Sequence, residues 1–130
     1  MYIRSINLTG HIPASIGTCA SLQNLDLSHT SLEGAIPSSL GHLTQLQTLH
    51  LSTTGLHGSI PPSIWQLPHL QQLAIADLNV VYAVNNDLHD PPFYKLHGSL
   101  PSTFGFCSAA GSTIGGIFID GINLTGHIPA

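Results

Sequence analysis

Nine histidines are the most numerous titratable side chains in this 130-residue chain. A transition-metal site needs imidazoles and carboxylates at ligating spacing, as in a His-Glu-x-x-His element. None of the histidines has that setting. His57 and His97 precede a glycine and His11 and His127 follow one, so they read as surface residues of a repeated unit. No metal and no cofactor are expected. Catalysis fails on inventory as well. There is no Gly-x-Ser-x-Gly elbow, no phosphate loop with its lysine, and no carboxylate pair set against a base. Gly111-Ser-Thr-Ile-Gly115 reads as a turn of small residues. The chemistry that remains is recognition and covalent modification: Asn7-Leu-Thr9 and Asn123-Leu-Thr125 are N-glycosylation sequons.

Composition narrows the partners. Lys and Arg number 2 against 6 Asp and Glu, for a formal net charge of −4. Nucleic acid is excluded, because phosphate binding needs several cations to release counterions. Contact with an anionic membrane through basic residues is excluded for the same reason. Only 6% of residues are charged, where an ordinary domain has roughly a quarter. With 13 Gly and 9 Pro the chain is no helical bundle, and at 42% apolar it is no disordered one. No apolar run reaches the ~18 residues of a membrane span, and the start, Met1-Tyr-Ile-Arg-Ser-Ile-Asn7, lacks the apolar stretch of a signal peptide.

An internal repeat positions these residues. Ile-Pro recurs at Ile12-Pro13, Ile36-Pro37 and Ile60-Pro61, and returns as Leu100-Pro101 and Ile128-Pro129. Leu8, Leu32, Leu56, Leu96 and Leu124 keep the same offsets, as do Gly10, Gly34, Gly58, Gly98 and Gly126. Upstream lies a second pattern: Leu22-x-x-Leu25-x-Leu27, Leu46-x-x-Leu49-x-Leu51, Leu70-x-x-Leu73-x-Ile75 and Ile114-x-x-Ile117-x-Ile119. The x-Leu-x-Leu-x piece alternates with period two and predicts a short strand with one buried face. Gly and Ile-Pro then turn the chain into an extended or 3₁₀ return segment. One coil cannot bury its aliphatics alone, so coils must stack into a solenoid with a parallel sheet on one side. About five coils are expected, forming a single domain over residues 1–130.

The stretch Leu22-Gln-Asn-Leu25-Asp-Leu27-Ser-His-Thr-Ser-Leu32-Glu-Gly34-Ala-Ile36-Pro37 resembles the plant-specific class of leucine-rich repeats. The Gly-x-Ile-Pro element is what separates this class from others. The chain is similar to ectodomain segments of receptor-like kinases and receptor-like proteins, and to polygalacturonase-inhibitor-like proteins. The resemblance implies a protein that is secreted or on the outer side of the plasma membrane and recognises protein, peptide or wall polysaccharide without catalysis.

Three departures stand out. The family places Asn after the strand, where its amide bonds neighbouring backbone, whereas this chain has Ile6, Thr30, Thr54, Leu78 and Ile122. Only Thr supplies part of that bonding. The family's cysteine-containing caps are absent, so a fragment of a longer solenoid or end-to-end stacking is expected. Ile6–Ala14 and Ile122–Ala130 read the same letters, which makes a self-assembling filament an alternative function. The third departure is an insertion at about 79–95, carrying Tyr82, Phe93 and Tyr94. It reads either as a loop or as a decayed repeat in which Val81 and Ala83 add a strand.

Residues pointing away from the core on the strands line the face where this family binds partners. The candidates are Tyr2, Asp26, His29, His50, Thr53, Asp77, Phe118 and Asp120, with Tyr2, Asp26, His50, Ala74 and Phe118 forming the central column. Ice binding, another activity of related plant repeats, needs a flat threonine array, and here Thr30 and Thr54 give way to Leu78 and Ile122. Cys19 and Cys107 share the repeat slot of Leu43 and Leu67 and read as small buried hydrophobes. Three coils apart, or roughly 14 Å at strand spacing, they exceed the ~7 Å reach of a disulfide. Asn7 and Asn123 lie between inward residues and are expected to face water and carry glycans.

Overall fold

The computed structural model describes Met1 and residues 7–76, 96–105, 115–120 and 123–126, with the side chains of Asp120, Asn123 and Leu124 outside that description. Within these residues the coils that begin at β2 and β4 run strand, turn, return strand and 3₁₀ turn. The elements are β1 (Thr9–Gly10), η1 (Ala14–Thr18), β2 (Asn24–Asp26), β3 (Ser31–Gly34), η2 (Ser38–His42), β4 (Thr48–His50), β5 (Gly55–Leu56), β6 (Gly58–Ser59), η3 (Pro62–Gln66), β7 (Gln72–Ala76), β8 (Leu96–Ser99), β9 (Gly116–Asp120) and β10 (Asn123–Thr125).

The strand ladder is a four-stranded parallel sheet in the order β2-β4-β7-β9. Its register follows the sequence repeat: Asp26 pairs with His50, His50 with Ala74, and Ala74 with Phe118. A backbone rung precedes each pair. The Gln23 carbonyl accepts the Gln47 and Thr48 amides, Gln47 accepts those of Gln71 and Gln72, and Gln71 accepts those of Gly115 and Gly116. Because β7 pairs directly with β9, no other strand stands between them. Residues 79–95, with Tyr82, Phe93 and Tyr94, lie outside the described residues.

On the opposite side the return strands pair as β1-β3-β5 and as β6-β8-β10, also in parallel. Here repeat-equivalent glycines do not meet. Gly10 pairs with Leu32, Gly34 with Leu56 and Gly58 with Leu96. The stagger is an even number of residues, so the same side chains stay outward in every coil. The same stagger holds between β6 and β8, on either side of residues 77–95.

Between the ladders lies the aliphatic core. Leu25, Leu49 and Leu73 form one fully buried row, with Leu27, Leu51 and Ile75 beside it. Ile12, Ile36 and Ile60, each before its proline, close the back. Proline holds φ near the value that opens a 3₁₀ turn. Pro37 sits at φ −71°, and its carbonyl accepts the Leu40 amide at 3.1 Å. Pro13 and Pro61 repeat the contact with Ile16 and Ile64. Gly34 has φ +86°, a left-handed conformation that a side chain resists, which explains the glycine of the Gly-x-Ile-Pro element. Trp65 is buried and meets Phe104 edge-on, with centroids 5.9 Å apart.

Threonine stands in for the family's asparagine, as expected. Thr30 and Thr54 are buried, and their hydroxyls donate to the Leu27 and Leu51 carbonyls at 2.8 and 3.2 Å. The bonds close within one coil. Ile6, Leu78 and Ile122 lie outside the described residues.

Cys19 departs from the expectation. It is exposed, whereas Leu43 and Leu67 in the same slot are buried. Leu43 caps η2, which packs between η1 and η3, whereas among the described residues η1 packs against η2 alone. Cys107 lies outside the described residues.

Candidate functional site

Period-two alternation turns every second residue of the strand ladder away from the core, and the in-register pairing lines these residues up in rows. The central row runs Asp26, His50, Ala74 and Phe118 over four strands. Flanking it, Asn24, Thr48, Gln72 and Gly116 form a second row. The face is predominantly neutral, with hydrogen-bonding groups at one end and an aromatic at the other.

Phe118 is the most exposed large apolar side chain on the face among the described residues, at 68%. Its ring lies along β9 over Gly116, where a Cβ would come within 2.8 Å of Phe118 Cε2. Ala74, beside it on β7, leaves a shallow step. Ring and step form a shelf suited to an apolar side chain or the face of a sugar ring.

Asp26 was expected to project from this face and does not: it is 1% exposed. Its Oδ1 accepts the Ser28 amide at 3.0 Å, and its Oδ2 stands 3.4 Å from His50 Nδ1. The chain's first residue docks along β2 on the side away from β4. Met1 donates its ammonium to the Asn24 carbonyl and accepts the Asp26 amide. Asp26 thus supports the face from beneath, while His50 reaches the surface with 24% of its side chain exposed.

His29 and Thr53 occupy equivalent positions just past their strands, and both have left-handed backbones, at φ 57° and 56°. For a β-branched threonine this conformation is strained. Thr53 also leaves its buried hydroxyl without a hydrogen-bond partner. His29 is exposed and Thr53 half-buried, and together they form a rim along one margin of the face. Their equivalence was visible in the repeat, but the backbone sign was not, since neither is a glycine. Tyr2 and Asp77 lie outside the described residues. Asp120 has its backbone in β9 opposite Ala76, with its side chain outside the description.

The return side carries a second concavity, a groove of about 450 Å³ lined by Ser59, Ile60, His97, Ser99 and Thr125 among others. Its hydroxyls bond one another: Ser99 Oγ and Thr125 Oγ1 are 3.1 Å apart. Among the described residues no group of three or more His, Cys, Asp and Glu comes together as a metal site, and no helix is long and apolar enough to cross a membrane.

A coil of short parallel strands and 3₁₀ turns repeated in register is the leucine-rich repeat architecture, and the leucine-rich repeat family model matches residues 20–80. The chain is a leucine-rich repeat domain resembling the ectodomains of plant receptor kinases. It is 30% identical to the ectodomain of the membrane receptor kinase GASSHO1/SCHENGEN3 from Arabidopsis thaliana, solved in complex with CASPARIAN STRIP INTEGRITY FACTOR 2. That match has a TM-score of 0.70 over 95% of this chain and 12% of that one. A chain of the BIR3–SERK2 complex from the same plant is 27% identical, with a TM-score of 0.65, over 99% of this chain and 57% of that one. The Arabidopsis receptor kinase HAESA, solved with the peptide hormone IDA and the co-receptor SERK1, is 28% identical, with a TM-score of 0.52 over 78% of this chain and 19% of that one. The chain therefore spans a minor part of two of these structures and just over half of the third. No curated protein sequence matches it. Domains of this kind are typically binding modules rather than catalysts, and the ectodomains it resembles are extracellular.

Proposed function

We propose that the chain is a non-catalytic extracellular recognition module that binds a peptide or protein segment across the strand face. The observation that carries this reading is the in-register row from His50 through Ala74 to Phe118, which places an exposed aromatic on a regular, mostly neutral sheet surface. Aromatic anchors with a polar surround are where binding energy concentrates. Neutrality disfavours nucleic acid and suits a ligand held by hydrogen bonds and apolar contact. The resembling HAESA, solved with the peptide hormone IDA and the co-receptor SERK1, supports the same reading.

The test is a screen of the secreted domain against a library of synthetic peptides, followed by surface variants. Phe118→Ala is expected to weaken a selected peptide by about tenfold or more, as for a central aromatic anchor. Glu33→Ala on the exposed return ladder is expected to leave affinity unchanged. Peptide affinity that responds to Glu33→Ala and ignores Phe118→Ala would move the binding surface to the return side.

A further inference from the structure

We propose that Asn7 is a site of N-linked glycosylation, carrying its sugar on the return side of the solenoid and leaving the strand face clear. The inference rests on the extracellular reading above, because this modification is made on chains entering the secretory route. It stands on local geometry. Asn7 and Thr9 are both exposed, while Leu8 between them packs against the core and its carbonyl accepts the Ser31 amide at 2.9 Å. The sequon is therefore held extended, with its two recognition residues outward and its middle residue inward.

The surroundings leave room. A Cβ added at Gly10 would meet no atom within 4 Å, whereas at the equivalent Gly34 the space is filled by the His11 ring. The second sequon has the same letters in a different setting. Its Thr125 hydroxyl is engaged, 3.1 Å from Ser99 Oγ and donating to the Gly98 carbonyl at 3.3 Å, and the side chain of Asn123 lies outside the described residues. The proposal is accordingly confined to Asn7.

In the step itself, Asn7 Nδ2 forms a bond to C1 of the first sugar of a lipid-linked oligosaccharide pyrophosphate. The C1–O bond to the pyrophosphate breaks, the lipid pyrophosphate leaves with the electron pair, and the amide proton passes to a base of the transferase. No redox change occurs. A neutral, strongly hydrated sugar on the return ladder supplies the solubility that a chain with 6% charged residues lacks.

The experiment expresses the chain behind a secretory leader in a eukaryotic cell, in an Asn123→Gln background. Intact mass is measured before and after peptide N-glycosidase, with peptide mapping of position 7. The expected result is loss of one glycan mass and conversion of Asn7 to aspartate. Asn7→Gln and Thr9→Val are expected to abolish the shift, and Thr9→Ser to retain it. An unmodified Asn7 in the secreted, folded chain would overturn the proposal. Because the leader imposes secretion, that failure leaves the extracellular reading of the natural protein untouched.

Discussion

Leu49 and Ile117 occupy the same rank of the strand ladder, two strands apart in the register Leu49–Leu73–Ile117, yet Leu49 is fully buried and Ile117 is 38% exposed. The same contrast separates Leu43 from Cys19 on the 3₁₀ side. Middle coils are covered above and below, while the flanking coils are covered on one side among the described residues. Hydrogen-bond register and packing are therefore separate achievements. The ladder keeps its register from β7 to β9, but burial is most complete where a neighbour packs on each side, as expected for a solenoid whose stability is a sum of nearest-neighbour contacts.

Substitution of the two residues tests that comparison most severely. Leu49→Ala removes a fully buried side chain and is expected to cost about 3 kcal/mol, read from urea unfolding monitored by circular dichroism. Ile117→Ala is expected to cost about 1 kcal/mol or less, because its surface is already partly in water. Equal losses would mean that the last described strand is packed as tightly as the middle ones.

The glycines give a second, smaller contrast. Gly10 and Gly34 both have positive φ, but only Gly34 is covered, by the His11 ring. Gly34→Ala is expected to lose about 2 kcal/mol and Gly10→Ala about 1 kcal/mol, since both incur left-handed strain and only the first also displaces a ring. Comparable thermal midpoints for the two variants would show that His11 swings aside at no cost.

The smallest expected effect has the opposite sign. Thr53→Gly relieves a left-handed, β-branched residue and removes a buried hydroxyl without a partner, at the cost of extra freedom in the unfolded chain. A gain of about 0.5–1 kcal/mol in chemical denaturation is expected. A loss instead would show that the Thr53 side chain contributes packing that outweighs its strain.

Much of the fold was legible because the repeat states it several times. Leu25, Leu49 and Leu73 at one spacing, with glycine and Ile-Pro at fixed offsets, already imply strand, turn and 3₁₀ return. The row Asp26–His50–Ala74–Phe118 followed from the same arithmetic, since a parallel sheet with one strand per coil pairs equivalent residues. The accessibility of that row was less legible. Asp26 sits in an outward position and is nonetheless buried, its carboxylate turned to the Ser28 amide and toward His50.

What the sequence determined by itself was the period, and with it the residues that share a rank, since spacing along a coil is a local property of strand and turn chemistry. What the tertiary structure alone decided was how each rank is used. It set the stagger of the return ladder, the left-handed backbones at His29 and Thr53, the direct β7–β9 pairing, the burial of Asp26 and the exposure of Cys19. These depend on which coil lies against which, and a neighbour in space leaves no mark at the position it covers.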